Sequence, residues 1–548
     1  MKISPFSLIV FFLITLGLHS AMAQEQPWFY MRAKDTLFNP VFEKKNDQLI
    51  YSGNDKILKA ILEKYKIYTF KKTFRKAKKE NLKKTFFVIA DKKELLQDLL
   101  KNASYIFEFG EEIPSKDKKI FEPNDYGLTS TIGADTGLKI NLDYLDFLEA
   151  PEAWYYTTGS RDVVIGISDG IIDTTNVDFK GKSKIIRPSS VANGHGYSIS
   201  ANAVAQGNNG YGIPGICYDC SVYGTSYGYF QKLEPLLELS KMGVKVINCS
   251  WIGTSYYQTA QDVINEMFEN GTIIVAAAGN KDWIVGKHGK LTYYPAAYDH
   301  VISVSSGMYR NENVEDNILV EDNGNYYAKN IRGYVGRTMG FKDNDTLKAP
   351  RIHDVSVAIL NPQVDILAPT VGLFRFSQFI LKNELLYSGS ETTSGATPLV
   401  SGTIGLMLSL YPCLPIDEVE TILKFTSLNI DHIEANQRFK DNYGAGMLKT
   451  GSAVKMVYNM FSEKETVFIE NHHFSRWDFK LTTISKSVRF QNQSFTEDAT
   501  LKLKTKNQIV LGKNTILKPN ENGSIHLSID PSLKKECELR LRDPSIEN

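Results

Sequence analysis

The chain has 548 residues. A single hydrophobic core rarely holds so long a chain, so two or three domains are expected. Its 63 lysines and arginines nearly balance its 62 aspartates and glutamates, which excludes a strongly basic nucleic-acid-binding protein and gives no reason to expect an anionic membrane as partner. Five cysteines are too few for a disulfide-rich scaffold of this length.

The N-terminus has the pattern of a secretory signal peptide. Lys2 precedes an apolar run over residues 6–18, which is shorter than the roughly 20 apolar residues that span a bilayer. Residues 21–23 (Ala-Met-Ala) form a small-x-small cleavage pattern, and no cysteine directly follows to carry a lipid. With no later membrane span, the processed chain is expected to be secreted, periplasmic or attached to the cell surface.

A small α+β unit is predicted after the signal peptide. Residues 85–90 and 105–109 have strand composition, and residues 92–101 between them have apolar side chains at helical spacing. Residues 111–124 are polar, rich in lysine and contain two prolines, which is typical of an exposed linker.

From about residue 140 the pattern changes to β-branched apolar runs that alternate with helical segments. This predicts an α/β domain with a buried, mostly parallel sheet between helical layers. Its strands are predicted at 162–167, 244–248, 272–277 and 301–304, and its helices at 233–241, 260–269 and 398–410. Strand-like runs at 488–490, 508–511 and 524–529 then indicate a small C-terminal β domain.

The predicted division of the chain is a signal peptide at 1–23, an α+β unit at 24–120, a linker at 121–140, an α/β domain at 141–462 and a β-rich domain at 463–548. Cys217 and Cys220 could form a local disulfide, buried thiols, a redox loop or half of a metal site, but nothing completes a metal site. Cys249 lies in an apolar strand and is expected in the core. His472 and His473 have no further metal ligand nearby and are expected to be exposed.

Four residues of the α/β region fit the parts of a serine nucleophile's machinery, which are a nucleophile, a base, an acid that orients the base, and an oxyanion donor. Asp169 follows a predicted strand, at the sheet edge where α/β folds place functional groups. His195 lies between two glycines at the start of a predicted buried helix. Asn280 ends an apolar strand, and Ser394 lies in a polar loop that leads into a helix.

These residues occur in the order Asp, His, Asn, Ser, and their surroundings resemble those of the subtilisin-like serine peptidases, the subtilases. The resemblance covers about residues 140–460. Framework segments in the family's order are 149–154 (EAPEAW), 207–216 (GNNGYGIPGI), 246–253 (VINCSWIG), 293–304 (YYPAAYDHVISV), 364–369 (VDILAP) and 443–454 (YGAGMLKTGSAV). So many segments in one order imply a three-layer subtilisin-like fold and an exported serine endopeptidase.

The resemblance also implies roles for single residues. Asp169 would orient His195, which would act as general base and then general acid. Ser394 would attack the scissile carbonyl, and Asn280 with the backbone N–H of Ser394 would stabilise the oxyanion. The segments implied to touch substrate are Ser250, Trp251 and Ile252, as a strand that pairs with an extended peptide, and Ala277, Ala278 and Gly279, as one wall of the primary specificity pocket.

The implied partners are protein or peptide substrates and the chain's own α+β unit. That unit is similar in pattern and position to subtilase propeptides, which assist folding and block the active cleft until they are removed. No cofactor is required. Calcium commonly stabilises subtilases, but no DxDxDG-like run marks a site for it in this sequence.

The family's usual motifs are altered beside each member of the triad. The altered residues are Gly170, where a serine or threonine hydroxyl usually follows the aspartate, Tyr197 and Ser198 after the histidine, and Thr392 and Gly395 around the serine. Thr392 would be strained if its position required positive φ. These changes leave a second hypothesis open, a catalytically inactive subtilase-fold protein that binds peptides. A third, an adhesin that acts through the β domain, has no specific motif.

Overall fold

The computed structural model describes residues 27–45, 48–72, 77–114, 119–123, 125, 143–191, 194–227, 233–280, 291–309, 318–320, 326–328, 332–341, 350–356, 358–369, 373–379, 384–390 and 392–542. The predicted signal peptide and most of the predicted linker lie outside these residues. The chain divides into two compact units, one up to Lys119 and one from Ile120. In the described part, no helix is both long enough and apolar enough to cross a membrane.

The first unit is an antiparallel sheet with three helices. Its elements are β1 (Trp28–Ala33), β2 (Phe42–Lys45), β3 (Gln48–Tyr51), α1 (Lys56–Leu62), β4 (Ile67–Lys72), α2 (Glu80–Lys83), β5 (Thr85–Ala90), α3 (Glu94–Asn102) and β6 (Phe107–Ile113). Four strands pair in the order β4-β5-β1-β6, and β2 and β3 form a hairpin. Strand β6 continues to Ile113. Residues 111–113, which the sequence places in an exposed polar stretch, therefore pair with β1 instead.

The second unit contains the predicted α/β domain. Its elements are α4 (Asp143–Phe147), α5 (Ala150–Tyr156), β7 (Val164–Ser168), β8 (Ser183–Ile185), α6 (His195–Val204), β9 (Ser221–Thr225), α7 (Glu234–Lys241), β10 (Val246–Cys249), α8 (Gln258–Glu269), β11 (Ile273–Ala277), β12 (Val301–Gly307), β13 (Ile318–Val320), β14 (Tyr326–Ala328), β15 (Gly336–Phe341), β16 (Pro350–Ser356), β17 (Ile366–Pro369), β18 (Leu373–Phe379), β19 (Glu384–Ser390), α9 (Thr393–Leu410), α10 (Ile416–Thr426), a 3-10 helix (Glu434–Phe439) and α11 (Thr450–Met460).

Seven strands form one parallel sheet in the order β17-β12-β11-β10-β7-β9-β8. Helices cover both of its faces, so side chains that alternate along a strand enter different cores. Along β11, Ile273 and Val275 join the core that contains α9, whereas Ile274 and Ala276 join the core that contains α7 and α8. The fold is therefore the three-layer α/β arrangement that the sequence predicts. The helix predicted from residue 398 begins earlier, at Thr393.

Residues 466–529 form a parallel β-helix. Its strands are β20 (Thr466–Glu470), β21 (His473–Phe474), β22 (Asp478–Thr483), β23 (Ser487–Gln491), β24 (Ser494–Glu497), β25 (Thr500–Thr505), β26 (Ile509–Leu511), β27 (Ile516–Pro519) and β28 (Ser524–Ile529). They form three three-stranded sheets, β20-β23-β26, β21-β24-β27 and β22-β25-β28, in which every pairing is parallel. In one inward ladder, Phe479 lies opposite Leu501 and Leu501 opposite Ile525, so each coil covers the apolar residues of the next.

The β-helix packs against α10 of the α/β domain. The ring of Phe425 on α10 stacks on that of Phe479, with the ring centroids 4.9 Å apart. The backbone N–H of Thr482 donates to the carboxylate of Glu418 at 3.0 Å, and the N–H of Lys480 donates to the hydroxyl of Thr421 at 3.1 Å. Backbone groups of the first coil therefore find their partners on a helix of the neighbouring domain.

The five cysteines fall into three environments. Cys217 pairs with Cys220 in a local disulfide, and Cys249 is a buried thiol in the core between the sheet and α7 and α8. A second disulfide joins Cys413, in the loop after α9, to Cys537, beyond the last coil of the β-helix. Spacing alone gave no indication of this second bridge, because its cysteines lie far apart in the sequence.

The two adjacent histidines of the β-helix differ in burial. His473 is exposed as expected, but His472 is only 4% exposed. Its ring stacks on Phe474, and its Nε2 lies 3.1 Å from the hydroxyl of Ser427. The expectation of exposure is wrong for His472 because its side chain enters the junction with the α/β domain. Burial lowers the pKa of this imidazole, which favours its neutral form.

Candidate active site

The ends of three neighbouring strands bring the predicted site residues to one edge of the parallel sheet. Asp169 follows β7, Ser250 follows β10 and Asn280 lies beyond β11, and these strands are adjacent in the order β11-β10-β7. Parallel strands end at the same edge, so topology alone collects these side chains. Helix α9 packs on one face of this sheet, against β10, β11 and β12. Every one of its residues is buried.

Asp169 and His195 form a direct hydrogen-bonded pair. The Nδ1 of His195 lies 2.8 and 2.9 Å from the two carboxylate oxygens of Asp169, which is fully buried. The N–H of Gly170 also donates to Asp169, at 2.6 Å. A carboxylate at Nδ1 fixes that nitrogen as the N–H of the ring, so proton exchange falls to Nε2.

The glycine after the histidine is required by the closeness of two backbones. A Cβ added to Gly196 would lie 2.4 Å from the carbonyl oxygen of Gly170, where the backbone cannot move aside as a side chain would. Gly194, which precedes the histidine, has φ 74° at the start of α6. The glycines around His195 thus allow α6 to lie against the loop that follows Asp169, called here the aspartate loop.

Ser394 is the second residue of α9 and is tied to Ser250. Its hydroxyl donates to the carbonyl of Ser250 at 3.2 Å, while the hydroxyl of Ser250 donates to the carbonyl of Ser394 at 3.0 Å. That carbonyl is available because Pro398, four residues later, has no N–H to donate to it. The proline that the sequence places in this helix therefore contributes to fixing the first turn.

Asn280 is held by Thr393, a residue that no sequence motif identifies. The side-chain oxygen of Asn280 accepts the backbone N–H of Thr393 at 2.7 Å and its hydroxyl at 2.9 Å. The threonine oxygen in turn accepts the N–H of Gly279 at 3.2 Å. Because the amide oxygen faces Thr393, the amide nitrogen of the exposed Asn280 faces the other way, as an oxyanion donor requires.

The residues implied to touch substrate lie beside this site. Trp251 is 6% exposed and donates its ring N–H to the hydroxyl of Ser168 at 3.2 Å, whereas Ile252 is half-buried. The implied pocket wall is formed by residues that are buried or close-packed, namely Ala277, Ala278 and Gly279. Gly279 has φ 112°, and a Cβ there would lie 2.8 Å from the ring of Tyr293.

The altered motif residues have regular environments. Tyr197 is buried with its ring edge-on to Phe179 at 5.2 Å, and the hydroxyl of Ser198 donates to the carbonyl of Gly194 at 3.0 Å. Thr392 has φ −112°, so the strain that positive φ would bring does not arise. Gly395 donates its N–H to Thr392 at 3.0 Å. These substitutions are accommodated in the packing of α6 and α9.

Asp169 accepts a hydroxyl from the segment after β9, although Gly170 beside it has no hydroxyl. Tyr227, two residues past β9, donates its hydroxyl to Asp169 at 2.8 Å. No pattern in the sequence pointed to this tyrosine, because it lies 58 residues away from the aspartate.

In the described part of the chain, no cluster of three histidine, cysteine or acidic side chains could hold a metal ion. Two buried carboxylates, those of Asp125 and Asp178, nevertheless both bind the loop after α6. Burial raises the pKa of Asp125 to about 6 and that of Asp178 to about 7. Asp125 accepts the N–H of Asn208, and Asp178 accepts the side-chain amide of Asn209. One oxygen of Asp178 has no hydrogen-bond partner among the described residues.

Comparison with known proteins gives one family. The subtilase family, peptidase family S8, matches residues 160–446. Subtilisin DY from Bacillus licheniformis is 25% identical over 308 residues, which are 54% of this chain and 91% of that protein. The minor extracellular protease Epr from Bacillus subtilis is 28% identical over 191 residues, 33% of this chain and 29% of Epr.

Another relative and one solved structure align with larger or smaller shares of the chain. The halolysin-like extracellular serine protease Nep from Natrialba magadii is 25% identical over 300 residues, 51% of this chain and 46% of Nep. The chain thus spans less than half the length of Epr and of Nep. The crystal structure of fervidolysin from Fervidobacterium pennivorans aligns with 80% of this chain and 62% of its own, at 16% identity and a TM-score of 0.42.

Proposed function

The chain belongs to the subtilase family, and from this premise we propose that it is an exported serine endopeptidase that acts through Asp169, His195 and Ser394. The observation that carries the proposal is the contact of the His195 Nδ1 with both oxygens of a fully buried Asp169, at 2.8 and 2.9 Å. A buried carboxylate that holds one nitrogen of a partly exposed imidazole is the arrangement that makes the other nitrogen a base.

In the proposed reaction, the Nε2 of His195 takes the hydroxyl proton of Ser394 as the oxygen attacks the scissile carbonyl. Asp169 stabilises the imidazolium that forms. The oxyanion accepts hydrogen bonds from the side-chain amide of Asn280 and from the backbone N–H of Ser394, one of the N–H groups that lack a partner within the helix. His195 then gives its proton to the leaving amine, and water that it activates hydrolyses the acyl-enzyme.

The proposed substrates are proteins or peptides bound in extended form. The main chain of Ser250, Trp251 and Ile252 would pair with the substrate, since the side chain of Trp251 is committed to the core. Ala277, Ala278 and Gly279 would bound the pocket for the residue before the scissile bond.

We further propose that the first compact unit is a propeptide that the enzyme itself removes, after export with a cleaved signal peptide. The cut would fall between β6 and α4, in the segment that joins the two units. In Ser394→Ala the unprocessed chain should accumulate, and N-terminal sequencing of the wild type should find a start after Ile113. A wild-type protein that still starts near Gln24 would contradict self-processing.

No cofactor is required for this chemistry, but we propose a structural calcium ion at Asp125 and Asp178. Carboxylate, amide and carbonyl oxygens are the donors that calcium takes. The support is the partnerless oxygen of a buried Asp178, which a cation would satisfy. The ion would stabilise the fold and take no part in bond cleavage.

A fluorophosphonate probe tests the peptidase proposal, because it reacts with activated serines. We expect labelling of the purified, processed protein that disappears in Ser394→Ala. Ser409→Ala, at the far end of the same helix, is the matched control and should keep full labelling. If folded, propeptide-free wild type remains unlabelled, the peptidase proposal is wrong and the inactive peptide-binding protein takes its place.

A further inference from the structure

Asp169 is a buried charge that depends on its hydrogen-bond donors. An ionised carboxylate offers about four acceptor positions, and a buried one is costly unless they are filled. His195 and the N–H of Gly170 provide two donors. The position after Asp169, where a hydroxyl usually stands in this family, is a glycine and provides no side-chain donor.

The segment after β9 supplies a side-chain donor to Asp169. Its register with β7 places Thr225 opposite Ser168, and the N–H of Asp169 donates to the carbonyl of Thr225 at 3.0 Å. The hydroxyl of Ser168 donates to the carbonyl of Ser226 at 3.1 Å. These bonds fix the backbone beyond β9 beside the aspartate, and from there the hydroxyl of Tyr227 reaches the carboxylate oxygen Oδ1 at 2.8 Å.

The protonation state of Tyr227 suits this role. Burial and the negative charge of Asp169 raise the pKa of its phenol, so it keeps its proton and remains a donor. Two further titratable groups that interact with Asp169 are His195 on α6 and the thiol of Cys249 on β10. Burial raises the pKa of that thiol, so it stays neutral beside the aspartate.

We propose that Tyr227 is a positioning residue that holds the Asp169 carboxylate for His195, in place of the hydroxyl that Gly170 lacks. This inference rests on the proposed function. The bond also withdraws negative charge from Asp169, so it limits how strongly the imidazolium is favoured. Removing the hydroxyl should therefore return this negative charge to the carboxylate and favour the imidazolium of His195 more strongly than in the wild type.

Tyr227→Phe removes the hydroxyl and keeps the ring, and Tyr223→Phe, four residues earlier on β9, is the matched control. We expect Tyr227→Phe to lower kcat roughly tenfold with KM unchanged, because hydrogen bonds to charged groups have about this effect. The acid limb of its kcat/KM profile should move to higher pH. Tyr223→Phe should match the wild type in both respects.

An NMR titration of His195 in a Ser394→Ala background tests the inference without requiring activity. We expect the pKa of the imidazole to rise in Tyr227→Phe, because Asp169 then keeps the negative charge that the phenol hydrogen bond withdraws. An unchanged His195 pKa, whatever happens to kcat, overturns the positioning role. If the wild type neither cleaves peptides nor reacts with the fluorophosphonate while the His195 pKa still rises, the proposed function fails and the role of Tyr227 stands.

Discussion

Between Gly170 and Gly196, two backbones approach so closely that no side chain fits. The methyl group of Gly196→Ala would lie 2.4 Å from a carbonyl oxygen, so α6 would have to move away from the aspartate loop. A displacement of about 1 Å in a catalytic pair costs roughly 10²-fold in rate. We therefore expect Gly196→Ala to lower kcat/KM of a peptide substrate by at least that factor.

A change on the same helix that adds no bulk serves as control. Ser198→Ala removes one buried hydroxyl and keeps the Cβ, so it should retain most of the activity. If Gly196→Ala is as active as Ser198→Ala, the contact of α6 with the aspartate loop does not set the catalytic geometry.

Asn280, the proposed oxyanion donor, is held in place by Thr393. Thr393 fixes Asn280 through its backbone N–H at 2.7 Å and its hydroxyl at 2.9 Å, so Thr393→Ala leaves the amide held by the N–H alone, whereas Thr393→Ser keeps both bonds. We expect Asn280→Ala to lower kcat about 10²–10³-fold, Thr393→Ala to lower it less, and Thr393→Ser to stay near wild type. Steady-state kinetics of the three variants check this order. Equal kcat values for Thr393→Ala and Thr393→Ser would contradict it.

Sequence alone located the chemical groups of the site but not the residues that hold them. Asp169, His195, Asn280 and Ser394 each follow or begin an element with a clear apolar pattern, so their places were predictable. The contact of Tyr227 with Asp169 joins residues far apart in the chain and involves an ordinary tyrosine, which periodicity does not distinguish from a packing residue.

Among the elements, α10 binds the β-helix through a buried acid. Burial raises the pKa of Glu418 to about 7, and one of its oxygens has no hydrogen-bond partner among the described residues. A carboxyl with a raised folded pKa stabilises the fold below its unfolded pKa of 4.5, and this contribution is lost as pH rises through 7. Stability from this group should therefore fall between about pH 4.5 and pH 7.

Glu418→Gln removes the ionisation and keeps an oxygen for the N–H of Thr482. Relative to wild type, the free energy of unfolding of Glu418→Gln should increase as pH rises from 5 to 8, by about 3 kcal/mol at most. Urea unfolding at several pH values measures the difference. Glu463→Gln, at an exposed acid of the same region, should show no such increase, and a constant difference for Glu418→Gln would contradict the assignment.

The elements of the α/β domain were predictable because its strands are continuous apolar runs and its helices have one apolar face. The β-helix was predicted only as scattered short strands. Its strands are brief, its coils differ in length, and inward residues such as Leu501 and Ile525 alternate with polar ones, so the repeat is weak in sequence. The burial of His472 and the extension of β6 likewise depend on partners that local sequence does not identify.

For the whole molecule, the acid pair at Asp125 and Asp178 links the start of the second unit to the loop after α6. A bound ion stabilises the folded state by about 2.7 kcal/mol at a concentration 100 times its dissociation constant. We expect calcium to raise the melting temperature and a chelator to lower it. Asp178→Asn should abolish this response, and Asp173→Asn, at a half-buried acid nearby whose carboxylate accepts bonds from Thr175, should keep it. A calcium response that survives in Asp178→Asn would place the ion elsewhere.

The disulfide between Cys413 and Cys537 encloses α10, α11 and the whole β-helix in one covalent loop. If the chain is the proposed self-processing peptidase, the exposed turns between coils are points at which one copy could cut another. A single cut anywhere inside the loop leaves both fragments attached. Such nicked molecules would migrate with full-length protein until a reductant is added, so the bridge would keep a cut chain in one covalent piece.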